Sequence, residues 1–251
     1  TNWDFDINSA SGANRANANG FGSVAISSQA TAGGIQAVAI GYQANATTSY
    51  TVALGGAPAQ ATAAYAVAIG NAQASGQTSF AANIGSNTSS YGATGDRSVA
   101  MGYLSKASNN DAKCISNTSV ASGTNSLVIG GSSGTASGNS STVLGGSSNT
   151  ADLDYAIAKG YYGNANGVRG KEAFGNGPGR QRAQYCLAID TTDATPTVMG
   201  VHYWAPSLSA ANQLVIPNNT VMAFSGLVTC RQQAADGTCL LYTSDAADDT
   251  P

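Results

Sequence analysis

The stretch Ala37-Val38-Ala39-Ile40-Gly41 decides the fold, because close copies of it return throughout the chain. The copies share a pattern near Ser-Val-Ala-Ile-Gly and occur, among other places, at residues 23–26, 66–70, 98–102 and 126–130. A repeat of fixed length is the signature of a solenoid, in which each repeat forms one structural unit. We therefore expect a chain built from many similar units.

The last large residue of each copy can be followed in one register. It falls at Ile26, Ile40, Leu54, Ile69, Ile84, Met101, Ile115, Ile129, Leu144, Lys159, Phe174 and Ile189. The steps are 14, 14, 15, 15, 17, 14, 14, 15, 15, 15 and 15 residues, which predicts about twelve units. The long step contains residues 87–92, where we expect a bulged turn. Charged residues replace apolar ones at Lys113, Lys159 and Glu172.

Each unit has the pattern of a short β-strand. Val-Ala-Ile alternates large, small and large side chains, which is the period of a strand, and Gly, Asn, Ser and Thr follow as turn residues. A repeat of 14 residues holds about two short strands and two tight turns. We therefore predict an all-β fold, a parallel β-solenoid with one coil per repeat.

The predicted strand has two faces of unequal size. Val and Ile point to one face and Ala to the other, so each coil supplies only about two large aliphatic residues to a core. We expect the narrow Ala face to pack against the same face of other copies around a symmetry axis, because small residues let backbones approach closely.

The units at residues 23–26, 37–41 and 66–70 resemble the head repeats of trimeric autotransporter adhesins of the YadA type. Both the pentapeptide and its spacing match, over roughly residues 20–175. The resemblance implies a left-handed parallel β-roll and a homotrimer. It assigns residues 20–177 to the roll and leaves residues 1–19 as an N-terminal end.

The sequence changes character after the repeats. Residues 178–238 alternate apolar residues with Pro and Asn turns and are similar to a β-rich module found near the C-termini of phage and prophage tail-fibre-like proteins. Residues 239–251 look like a translated transposase adapter. Without Asp245, Asp248 and Asp249, the chain would have 10 acidic and 10 basic residues and no net charge.

The composition excludes several classes of protein. Charged residues make up 9% of the chain, and about 25% is usual, but the regular Val/Ile spacing argues against a disordered linker. No basic patch favours nucleic acid, and no apolar run is long enough for insertion into a membrane. The four cysteines form no CxxC motif, and Cys114 and Cys186 read as apolar fillers in repeat strands.

The titratable residues do not form a catalytic pattern. The single histidine, His202, has no visible partner for a metal or nucleophile site. Asp152 and Asp154 fall where a turn between coils is expected. Glu172 occupies a normally apolar strand position, where it either marks the fraying end of the roll or pairs with Lys159, one repeat earlier. We predict no catalytic, cofactor-binding or metal-binding residues, and we expect that the protein is not an enzyme.

Tyrosines are the remaining candidates for binding. Eight of them fall around the predicted turns: Tyr42, Tyr50, Tyr65, Tyr91, Tyr103, Tyr155, Tyr161 and Tyr162. Exposed tyrosines suit contact with a sugar or a protein. They can equally pack between neighbouring coils, as Tyr65 and Tyr155 would by their spacing.

These observations predict a structural and adhesive function. The first hypothesis is the rod of a phage or prophage tail fibre, a virion part that meets a host-surface glycan or protein. The alternative is the head of a bacterial trimeric autotransporter adhesin, at the outer-membrane surface, that binds host matrix or cells. A third hypothesis, a glycan depolymerase, would need two carboxylates across a cleft.

Overall fold

The computed structural model describes residues 5–7, 14–56, 59–85, 90–187, 200–201, 223 and 225–226. Within these residues the secondary structure is strands and turns, with no α-helix. The chain divides into two units, Thr1–Val215 and Ile216–Pro251, and all described strands lie in the first.

Two kinds of strand alternate along the chain, and each kind forms its own sheet. The first sheet has thirteen strands: β1 (Phe5–Ile7), β3 (Val24–Ile26), β5 (Val38–Ile40), β7 (Val52–Leu54), β9 (Val67–Ile69), β11 (Phe80–Ala82), β13 (Val99–Met101), β15 (Lys113–Asn117), β17 (Leu127–Ser132), β19 (Thr142–Ser147), β21 (Ile157–Tyr161), β22 (Glu172–Asn176) and β23 (Gln181–Gln184). The second sheet has ten strands of two residues: β2 (Asn17–Ala18), β4 (Thr31–Ala32), β6 (Asn45–Ala46), β8 (Gln60–Ala61), β10 (Gln73–Ala74), β12 (Gly92–Ala93), β14 (Lys106–Ala107), β16 (Val120–Ala121), β18 (Thr135–Ala136) and β20 (Thr150–Ala151).

From β1 to β22 in the first sheet and from β2 to β20 in the second, neighbouring strands are equivalents from successive coils and pair in parallel. Ala25 lies beside Ala39, and Ala32 lies beside Ala46, so one coil consists of a strand from each sheet and the two turns that join them. The predicted all-β parallel solenoid is confirmed, with about eleven coils instead of about twelve. The twelfth predicted position, Ile189, lies outside the described residues. The strand β1 pairs with β3, ahead of the first predicted repeat.

The register prediction is wrong in one coil. Ala82, not Ile84, pairs with Ile69 and with Met101. Ile84 lies beyond the end of β11 and is fully buried, with the partly buried Tyr91 packed against the same core. The residues that make this coil longer than the others therefore all lie between Ala82 and Met101. Ile84 is one of them, and its side chain lies in the interior of the coil.

The core lies between the two sheets and is made almost entirely of alanine. The second residue of each strand of the first sheet from β3 to β22 points inward and is 0–1% exposed: Ala25, Ala39, Ala53, Ala68, Ala81, Ala100, Cys114, Val128, Val143, Ala158 and Ala173. The second sheet contributes a matching column of fully buried residues: Ala32, Ala46, Ala61, Ala74, Ala93, Ala107, Ala121, Ala136 and Ala151. The expectation that the Ala face is an outer, intermolecular face is therefore wrong. Two-residue strands and tight turns bring the sheets close together, so alanine fits most inward positions; the larger Val128 and Val143 lie beside Gly134, which has no side chain.

The turns rely on backbone conformations of positive φ. Gln36, Tyr50 and Tyr65 occupy equivalent turn positions with φ of 53°, 62° and 61°. The amide of Tyr50 donates to the carbonyl of Ile35, one coil earlier, at 2.8 Å. Gly34 precedes this position, and a Cβ there would lie 1.9 Å from the carbonyl oxygen of Thr48 in the next coil. The turns therefore stack as closely as the strands do.

The parallel stack ends at an antiparallel strand. β23 runs back along β22, with Arg182 beside Phe174 and Gln184 beside Glu172. This strand falls in the segment 178–238, for which a separate β-rich module is predicted. Most of that module, His202 included, and the whole segment 239–251 lie outside the described residues.

Candidate interaction surface

The outer face of the first sheet carries two columns of mostly apolar side chains, which we call the aliphatic face. The first column comprises Val24, Val38, Val52, Val67, Phe80, Val99, Lys113, Leu127, Thr142, Ile157 and Glu172, and the second comprises Ile26, Ile40, Leu54, Ile69, Ala82, Met101, Ile115, Ile129, Leu144, Lys159 and Phe174. These are the Val and Ile positions of the repeat. The alternation correctly separates the Val and Ile positions from the Ala positions. The expectation that Val and Ile form the core and Ala the outer face is the reverse of what the structure has.

The second column of the aliphatic face is substantially exposed. Seven of its members are 38–44% exposed: Ile40, Ile69, Met101, Ile115, Ile129, Leu144 and Phe174. Singly exposed apolar residues are normal on protein surfaces, but a contiguous stripe marks an interaction site. Full burial of such a side chain is worth about 1.5–3 kcal/mol, so covering the exposed two-fifths of each is worth about 0.6–1.3 kcal/mol.

The opposite side of the roll has a different chemistry. The outward residues of the second sheet are almost all polar or lack a side chain: Asn17, Thr31, Asn45, Gln60, Gln73, Gly92, Lys106, Val120, Thr135 and Thr150. The roll therefore has one polar outer face, on the second sheet, and one largely apolar outer face, on the first sheet, and only the polar face suits contact with water. The contrast singles out the aliphatic face as the candidate interaction surface.

Three charged residues interrupt the aliphatic face. Lys113 is exposed in the first column, and its ammonium donates to the carbonyl of Asp111. Lys159 and Glu172 form an ion pair between adjacent coils, as one of the two interpretations of Glu172 predicts. The hydrogen bond from Lys159 holds the pKa of the Glu172 carboxyl below its ordinary value. Glu172 therefore remains a carboxylate at neutral pH.

An open groove of about 510 Å³ lies at the end of the aliphatic face. Lys159, Phe174, Arg180 and Arg182 line it together with Asn176, the last residue of β22, and Gln181, the first residue of β23. Both arginines are exposed. The groove thus combines an exposed aromatic ring with three cations, where the aliphatic columns end.

The tyrosines lie on the turn edges of the roll, as predicted, and do not converge on one site. Tyr50 and Tyr65 stack between adjacent coils, with ring centroids 4.9 Å apart, while both stay about half exposed. Tyr161 and Tyr162 contact each other edge to face on the other turn edge. The Tyr50–Tyr65 pair therefore both packs between coils and leaves ring surface exposed to solvent, where a partner could contact it.

The candidate carboxylates serve the turns. Asp152 accepts hydrogen bonds from the amide of Gly167, at 2.9 and 3.1 Å. Asp154 accepts from the amide of Asn139 at 3.0 Å and pairs with Arg169 at 2.8 Å. Each carboxylate thus joins neighbouring coils, which is the role of a turn residue that the sequence predicts.

The remaining titratable groups contribute no cluster. Cys114 is buried in β15, as predicted, and its burial raises the pKa of its thiol. Cys186 is exposed and lies past the end of β23, so its expected place in a repeat strand is wrong. The described part of the chain has no group of three or more His, Cys, Asp or Glu residues that could hold a metal ion. It also has no helix with the length and apolarity of a membrane span.

Comparison with known proteins identifies the repeats. A family model described as the YadA head domain repeat (2 copies) matches residues 32–57, 56–72 and 93–112. No curated protein matches the chain. The N-terminal region therefore carries YadA head domain repeats, which confirms the resemblance of the Val-Ala-Ile-Gly units. Such repeats imply an extracellular, surface-exposed, adhesin-type head.

Proposed function

We propose that this chain is a structural and adhesive element that assembles as a homotrimer through its aliphatic face. One observation carries the proposal: a stripe of mostly apolar side chains, seven of which in the second column are 38–44% exposed, runs along one sheet, while the outer face of the other sheet is almost all polar. The YadA head domain repeats support the trimer, because heads of that type are trimeric.

Burial of the aliphatic face would contribute a substantial part of the free energy that association needs. Covering the seven exposed residues of the second column contributes about 4–9 kcal/mol per copy, and the half-buried first column adds to this. The loss of translational and rotational freedom opposes association by about 4–15 kcal/mol. The gain from covering the second column alone is of the same order as this cost. A stable assembly therefore also requires burial of the first column, at each interface between copies.

The trimer would be the shaft or head of an attachment structure. We favour a phage or prophage tail fibre, a part of the virion, because residues 178–238 are similar to a tail-fibre-like module. The partner would be a host-surface glycan or protein, and exposed tyrosines on the turn edges such as Tyr42, Tyr103 and Tyr155 offer contacts of the kind that either partner accepts.

The second candidate function is the head of a bacterial trimeric autotransporter adhesin at the outer-membrane surface, and the YadA head repeats favour it. The genomic sequence downstream separates the two. A coiled-coil stalk followed by a membrane anchor would establish the adhesin, and a short β-rich end would establish the tail fibre.

We also propose that the protein has no catalytic activity. Glycoside hydrolysis needs two carboxylates placed across a cleft. Asp152 and Asp154 instead accept backbone amides or pair with arginine in turns between coils. Incubation with host-surface polysaccharides and chromatography of the products tests this, and released oligosaccharides would overturn it.

The first experiment measures the mass of the full chain in solution by light scattering, with circular dichroism of the same sample. A β-rich particle of three times the chain mass of 24.9 kDa would support the proposal. A β-rich monomer would overturn the trimer. Binding to intact host cells and to a glycan array then tests the adhesive function, and failure to bind either would overturn it.

A further inference from the structure

The aliphatic face poses a problem of alignment for any assembly of identical copies. Its two columns repeat every coil, so copies that slip by one coil, about 4.8 Å, would still place aliphatic residues against aliphatic residues. Copies that run in opposite directions would bury a similar area. Hydrophobic burial alone therefore does not specify one arrangement.

The end of the face breaks this repetition. Among the described residues of the two columns, Glu172 is the only acidic residue, and it lies in the first column. Lys159 lies in the second column, one coil earlier. Their side chains keep 40% and 35% of their surface exposed while they are paired, so both can reach groups beyond their own chain.

We infer that Lys159 and Glu172 pair between copies as well as within one chain, and that this pairing fixes the copies parallel and in coil register. The inference rests on the proposed self-association through the aliphatic face. In a closed ring of identical copies, each copy presents its first column to the second column of its neighbour. Glu172 of one copy then meets Lys159 of the next with the same one-coil offset as within the chain.

The wrong arrangements lose this match. A slip of one coil toward β19 places Lys159 opposite Thr142 in the neighbouring first column and moves it away from Glu172. Because the displacements between neighbours in a closed ring sum to zero, a slip in the other direction at one interface requires this slip at another. Reversal of one copy brings the charges to the level of the Val24 and Ile26 end, where the columns are aliphatic. In these arrangements the ion pair within each chain is held against apolar surface, where it loses water contacts and gains no charge of the neighbouring copy in return, which is disfavoured. Arg182, beside Phe174, adds a second cation near Glu172 and strengthens the preference for that end.

A charge swap tests the inference without removing the pair from either chain. The swapped chain carries Lys159→Glu together with Glu172→Lys, and it keeps an ion pair between the same two positions. Wild-type and swapped chains of different tag length are co-expressed, and native mass spectrometry counts the trimers. Each mixed trimer would contain two contacts between like charges, so we expect mixed trimers about fivefold or more below the statistical 1:3:3:1 proportion.

The control is a second ion pair that lies off the aliphatic face. Arg97 and Asp111 pair at 2.6 Å on a turn edge, and the swap Arg97→Asp with Asp111→Arg is expected to mix statistically with wild type. Statistical mixing of the Lys159/Glu172 swap as well would overturn the inference while leaving the trimer intact. A wild-type chain that is monomeric would overturn the proposed assembly itself, and the wild-type sample alone reveals that outcome.

Discussion

Replacement of Ile129 by serine should weaken the assembly without unfolding the chain. Ile129 is 44% exposed in the second column, and Val128 beside it is fully buried in the core. Loss of the burial that a partner provides costs about 0.7–1.3 kcal/mol per copy, or about 2–4 kcal/mol for three copies. Since about 1.4 kcal/mol is tenfold, the dissociation of the trimer should rise about 30- to 700-fold. Sedimentation or light scattering across a dilution series measures this change.

The matched control is Ile35→Ser. Ile35 is 48% exposed, which is close to the value of Ile129, but it lies in a turn outside the aliphatic face. Its replacement should leave the dilution series unchanged, and both variants should keep the circular dichroism of the wild type. Equal dissociation of the two variants, or none from Ile129→Ser, would refute the assignment of the aliphatic face as the interface.

Three further predictions concern the roll itself. Ala68→Leu places a large side chain in the fully buried alanine column and should lower the free energy of unfolding by about 1–3 kcal/mol or more in guanidinium titrations, whereas Ile69→Leu on the outer face should change it little. Gly34→Ala should lower the melting temperature by several degrees, because its Cβ would lie 1.9 Å from the Thr48 carbonyl oxygen, while Gly56→Ala, with nothing within 4 Å, should melt as the wild type does. The hydrogen bond from Arg97 lowers the pKa of the Asp111 carboxyl. The stability that this ion pair contributes is therefore present at neutral pH and is lost as the pH falls through the lowered pKa. The Asp111→Asn variant should melt at a lower temperature than the wild type at pH 7 and at the same temperature in strong acid. Circular dichroism melts at both pH values check this, and a difference that persists in strong acid would contradict the linkage.

The period of the sequence was enough to predict the solenoid. The alternation in Val38-Ala39-Ile40 and the 14- to 15-residue steps together indicate stacked short strands, and the spacing offered the Lys159–Glu172 pair as one of two interpretations of Glu172. These features are local in sequence or recur at a fixed step. They follow directly from strand geometry.

The inner side of the strand was harder to predict because alternation defines two faces without saying which one is inside. Large aliphatic residues usually form the core, and here they lie outside. The two-residue strands held the missing signal: Thr31-Ala32, Asn45-Ala46 and Gln60-Ala61 share only alanine as an apolar residue. Since both sheets must contribute to one core, alanine had to be its common component.

The local pattern was also misleading in one coil. Asn83-Ile84-Gly85 imitates the end of a repeat, and the true strand, Phe80-Ala81-Ala82, departs from the usual residues. Only the pairing with both neighbouring strands identifies the register. The exposure of the second column likewise depends on three-dimensional packing, which the spacing of residues does not contain.

The parallel pairing of every coil with the next has a mechanical consequence. The hydrogen bonds between coils run along the stacking direction, so every coil carries the tension between the two ends and the coils are released one after another. A released coil of 14 or 15 residues extends to about 50 Å from a rise of about 4.8 Å. A tether made of such coils lengthens about tenfold per coil before it breaks, so a sudden pull is absorbed as extension instead of reaching the attached surface at full force.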